Sequence, residues 1–135
     1  MRLDAPTFGV WLHGRDLDVT SAEVRGNQLL TARWVPGQRP GMNSLRWSQP
    51  QGPGEVSLRL RYTAPFNRHL EGLYRVDTGG DSYAFTQFEA ISARRAFPGF
   101  DDPRFKTPFD ITLVVPRGQV SVTNTPELSA EDRAD

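Results

Sequence analysis

Cysteine is absent from the 135 residues, so the chain can form no disulfide, no thiolate metal site and no thiol nucleophile. Histidine is scarce: His13 and His69 stand far apart and neither belongs to an HExxH pair. Catalytic zinc usually takes three protein ligands and leaves one position open, so no metal or other cofactor is expected on this chain. Each histidine, lying near a turn, reads as a solvated or hydrogen-bonded side chain. Lysine is nearly missing, Lys106 being alone among sixteen basic residues. The arginines could grip carboxylates in forked pairs, and a coding bias accounts for them equally well. Charge of one sign is lacking too, since sixteen acidic residues cancel the basic ones. Without a summed field, neither nucleic acid nor an anionic membrane is an expected partner. The longest apolar runs, such as Ile111–Val115 broken by Thr112, fall far short of the ~18–20 residues that cross a bilayer. Met1–Pro6 show no charged region followed by an apolar stretch, and the expected location is cytoplasmic.

What is present fits one globular core: 37% hydrophobic residues and twelve glycines. Glycine and proline cluster from Pro36 to Pro53, which reads as turns and loops. Val56, Leu58, Leu60 and Tyr62 alternate with polar neighbours and predict the clearest strand. Phe109, Ile111, Leu113 and Val115 predict a second, stopped by Pro116. Weaker strands are expected at Val10–Leu12, Leu17–Val19, Gln28–Trp34, Gly72–Val76 and Ser82–Glu89. Residues 90–97 hold good helix formers before Pro98 and predict a short helix. The sum is an all-β, antiparallel, saddle-like or sandwich domain with one short helix. It is expected over residues 1–126, with a polar tail or linker over 127–135.

Few groupings point to chemistry. No serine lies in a G-x-S-x-G elbow, and Gly79-Gly80-Asp81 fits a hairpin turn better than a phosphate cradle. Asp101-Asp102 suits capping better than cation binding. Trp11, Trp34 and Trp47 suit core or rim packing better than a stacking platform. On a strand, Gln87 and Glu89 would project from one face and offer an amide and a carboxylate to an ammonium group. Equally, Glu89 could cap the following helix or pair with Arg94 or Arg95.

One long stretch carries a resemblance. Gly72-Leu73-Tyr74-Arg75, Tyr83, Thr86-Gln87-Phe88-Glu89, Ala93-Arg94-Arg95-Ala96-Phe97-Pro98, Phe100-Asp101-Asp102-Pro103 and Phe105-Lys106 to Phe109-Asp110-Ile111 resemble the N-terminal domain of the aminopeptidase N-like zinc metallopeptidases, the gluzincin aminopeptidases. Leu12-His13 with Leu17–Val19 fits an earlier family strand, and the likeness spans roughly residues 8–126. Gly99 stands where many members carry Cys, and Asp102 where Glu is usual.

The resemblance implies a noncatalytic all-β domain packed, in cis or in trans, against a thermolysin-like catalytic domain. Zinc, HExxH and the Gly-x-Met-Glu-Asn motif are expected in that other domain, beyond Asp135, and the family's opening strands are expected to be absent, since the match enters partway through the domain at Met1. It also implies that Gln87 and Glu89 line the pocket for a peptide's free amino terminus. The alternative is a stand-alone β-sandwich interaction module without peptidase activity. Absent opening strands would leave a bare sheet edge, from which a homodimer is expected.

Overall fold

A computed structural model describes residues 1–132. The chain divides into two compact units, Met1–Phe105 and Lys106–Asp135. The first holds nine strands: β1 (Arg2–Leu3), β2 (Thr7–His13), β3 (Asp18–Arg25), β4 (Leu29–Pro36), β5 (Met42–Gln51), β6 (Gly54–Glu55), β7 (Ser57–Thr63), β8 (Gly72–Thr78) and β9 (Asp81–Gln87). Every strand pair is antiparallel. Five strands form one sheet in the order β2-β5-β4-β3-β7, β1 pairs with β6, and β8 pairs with β9. The all-β antiparallel class is therefore observed.

Period-two burial builds the core. Along β7 the half-buried Leu58, Leu60 and Tyr62 alternate with exposed neighbours, as the sequence predicts. Leu12, Ala22, Val24, Ala32, Leu45 and Trp47 come from the sheet's other four strands and cluster with Leu3 and Val56. Leu45 and Val24 are fully buried, and burying a side chain of that size contributes roughly 1.5–3 kcal/mol.

Both outer strands of this sheet are guarded. On β2, His13 exchanges backbone hydrogen bonds with Gly99 at 2.8 and 2.9 Å, and the Thr7 hydroxyl donates to the Gly9 carbonyl at 2.9 Å. On β7, Arg59 and Arg61 are exposed; charge of this kind disfavours pairing with another edge.

Three expectations need correction. Residues 36–53 are not mainly loop: they hold β5, the longest strand, with Gly41 and Gly52 marking its ends rather than an irregular segment. The helix expected over 90–97 shrinks to a 3₁₀ turn at Ala93–Arg95. Eight residues are too few to sustain an α-helix by propensity, and tertiary ion pairs draw Arg94 and Arg95 apart. The strand expected at Phe109–Val115 does not form. An alternating pattern becomes a strand only with a neighbour to complete its ladder. Ile111 and Leu113 stay 65% and 52% exposed.

In the second unit, a turn over Pro116–Gln119 closes with a 3.2 Å backbone bond, and the Thr123 hydroxyl donates to the Thr125 carbonyl at 2.7 Å. Residues 133–135 of the tail expected at 127–135 lie outside the described part.

Candidate functional site

The β8–β9 hairpin carries the site. Gly79 and Gly80, at φ +62° and +92°, supply the two left-handed residues of a two-residue turn. Pairing then runs from Thr78 opposite Asp81 to Gly72 opposite Gln87. Alternation along this register puts Tyr74 and Val76 on one face with Tyr83, Phe85 and Gln87. Phe85 stacks between two tyrosines, its ring centre 5.7 Å from Tyr74 and 6.4 Å from Tyr83. Tyr83 and Phe85 remain 46% and 47% exposed, so this aromatic face is open.

On the opposite face, Arg75 donates to Asp77 at 2.7 Å and to Ser82 at 2.8 Å, and Ser82 donates to Asp77 at 2.5 Å. The Ser82 hydroxyl, and after it Arg75, hold the Asp77 carboxyl below its usual range. These polar contacts lie on the face opposite the aromatic one and tie the two strands of the hairpin together.

Gln87 ends β9, and Glu89 lies two residues on, in the turn. Their side chains are both exposed, yet they do not share a strand face, because the strand stops between them. The turn is tightly held. The Ser92 N–H donates to the Phe88 carbonyl at 2.9 Å, and Phe88 meets Phe97 edge to face at 5.6 Å. The Ser92 hydroxyl donates to Glu71 at 3.2 Å, and Arg95 bridges Glu71 at 3.4 Å and Asp16 at 3.2 Å.

Glu89 makes no hydrogen bond or ion pair among the described residues. The partners considered for it are committed elsewhere: Arg94 to Asp101 at 2.7 Å, and Arg95 to Glu71 and Asp16. Nor does Glu89 cap the 3₁₀ turn, whose first residue follows Ser92. An exposed carboxylate held on a hydrogen-bonded turn, two residues from an exposed amide, is free to accept hydrogen bonds from a ligand cation.

The other candidates settle into structural roles. Asp101 accepts the Arg94 backbone N–H at 3.1 Å and Asp102 accepts the Arg104 N–H at 3.0 Å, as capping requires. Trp47 is buried and donates to the Thr7 carbonyl at 2.7 Å, Trp34 is half-buried, and Trp11 is exposed at the rim. A cavity of about 710 Å³ lies beside Asp18, Arg33, Trp34 and Arg39, mixes both charge signs, and contains neither Gln87 nor Glu89. Among the described residues no three His, Cys, Asp or Glu gather as metal ligands. The aromatic face was missed from sequence, although Tyr83, Phe85 and Gln87 recur at the strand period.

The peptidase M1 N-terminal domain family matches residues 1–135. The chain belongs to that family. This M1 N-terminal domain is 34% identical over 128 residues to Aminopeptidase M1-B of Oryza sativa subsp. japonica, covering 92% of the chain and 15% of the relative. It is 40% identical over 132 residues to Aminopeptidase M1 of Arabidopsis thaliana, covering 90% and 15%. It is 37% identical over 133 residues to Aminopeptidase N of Streptomyces lividans, covering 96% and 13%. The M1 N-terminal domain thus spans about one seventh of these relatives' length.

Proposed function

We propose that this M1 N-terminal domain is the noncatalytic recognition half of a zinc-dependent aminopeptidase, in which Gln87 and Glu89 receive the substrate's free α-amino group. The observation that carries the reading is the unpartnered, exposed Glu89 carboxylate on a turn whose neighbouring arginines are all engaged. Family membership supports it, since the relatives are named aminopeptidases. An ammonium entering a partly dehydrated pocket needs acceptors to replace its water, and an ionised carboxylate is the strongest side-chain acceptor available.

The catalytic domain, with its zinc, meets the aromatic face of the hairpin in this reading. A two-stranded hairpin is marginal by itself, and Tyr74, Tyr83 and Phe85 lead directly to Gln87, so one docking event covers the apolar face and completes the pocket. A second copy at a sheet edge has less support, given the guards on β2 and β7. An interaction module without peptidase activity would use the same aromatic face with another protein.

Glu89→Ala, in a protein joining this domain to a catalytic domain, tests the reading. A charge-assisted hydrogen bond is worth roughly 1.5–3 kcal/mol, so unblocked peptides should weaken about 10–150-fold. N-acetylated peptides should bind almost as before. Equal losses for both would return Glu89 to a structural role.

A further inference from the structure

We propose that His13 pins the Pro98–Asp102 segment to the end of β2 and releases it on acidification, making this segment a pH-sensitive strap. The Asp101 N–H donates to His13 Nδ1 at 3.1 Å. That nitrogen must be unprotonated to accept, so the neutral ring carries its proton on Nε2. Protonating Nδ1 sets two donors against each other and breaks the bond.

The same junction holds further hydrogen bonds. His13 and Gly99 exchange backbone bonds, the Arg94 guanidinium reaches the Asp101 carboxylate at 2.7 Å and its carbonyl at 2.9 Å, and the Arg15 N–H donates to the Arg94 carbonyl at 2.7 Å. Arg94 and Asp101 side chains are only 15% and 10% exposed, so the junction is largely dry. His13 is its one group whose ordinary titration falls near neutrality.

Arg94 of the 3₁₀ turn and Asp101 and Asp102 of the strap are the charged groups facing His13. Its own strand offers none between Thr7 and Leu12, and its β5 partner is the neutral Met42. Burial, and after it Arg94, press the imidazole below its ordinary 6.5. The Asp101 and Asp102 carboxylates and the Gly99 carbonyl pull the other way and do not prevail. Asp102, lowered to about 2 by Arg104, keeps its charge across the whole range. A depressed histidine contributes stability above about pH 6.5 and loses it as pH falls through the folded value. Acid therefore loosens the strap while the sheet stays intact. The inference is independent of what Gln87 and Glu89 bind.

Amide hydrogen exchange on the full chain, corrected for the intrinsic pH dependence of exchange, reads the strap directly. Between about pH 8 and a pH low enough for the ring ¹⁵N signals to show His13 protonated, the Asp101 amide should lose about 2–12-fold of its protection, the worth of one hydrogen bond, while the core amide of Val24 does not change. His13→Asn should abolish the dependence, because its side-chain oxygen can accept in place of Nδ1 and does not titrate. An independent check is the ring ¹⁵N spectrum of the unaltered chain, which should show Nδ1 unprotonated at neutral pH. A flat Asp101 profile, the same pH dependence in His13→Asn, or a protonated Nδ1 at neutral pH would each overturn the proposal.

Discussion

At Gly72 the backbone sits at φ +69°, and a Cβ there would lie 2.6 Å from the Cβ of Arg95. Both facts demand glycine: the first for conformation, the second because the turn carrying Arg95 packs directly on the start of β8. Gly72→Ala should therefore destabilise the fold by roughly 1–3 kcal/mol, read as a lower denaturation midpoint, with the hairpin and the 88–97 turn separating first. An unchanged midpoint would mean that the turn does not rest on the hairpin. Gly72 matters to the site because Gln87 is its cross-strand partner. Glu89 gains its chemical meaning in the same indirect way. Its own sequence neighbourhood offers two arginines, and only the distant Asp16, Glu71 and Asp101 leave it unclaimed.

The elements divide by how local their determinants are. β7 was legible because its alternation and its partner agree, Leu58 and Leu60 lying opposite Val24 and Ala22 of β3. β5 was hidden by the glycines and prolines around it, although Leu45 and Trp47 lie at the period-two spacing of a buried face. Phe109–Val115 shows the converse: a strand-like pattern without a ladder. The 3₁₀ turn at Ala93–Arg95 is set by tertiary ion pairs, which helix propensity does not encode. Its anchor is the Arg94–Asp101 pair, and removing one partner of a buried pair strands the other charge. Asp101→Ala should cost about 3 kcal/mol and free the Arg94 side chain, seen as a fall in melting temperature and loss of protection at the Arg94 amide. A loss within a few tenths of a kcal/mol, the value of a surface pair, would show that the anchor is solvated.

For the whole molecule, the guarded edges of the five-stranded sheet contrast with the open hairpin. In the proposed reading the sheet serves as a support, while Tyr83, Phe85, Gln87 and Glu89 stand exposed on β9 and the turn beyond it. The family's character was readable from Gln87 to Lys106, whereas the placing of Gln87 and Glu89 on a strand end and a turn needed three dimensions. In the proposed reading the catalytic domain docks on the hairpin's open face. Amide hydrogen exchange across β8, β9 and Phe88–Glu89, compared between the chain alone and the chain joined to a catalytic domain, tests this most directly. Strong protection of the hairpin in the joined protein, with β3 and β7 unchanged, is the predicted result; equal exchange in both would contradict it.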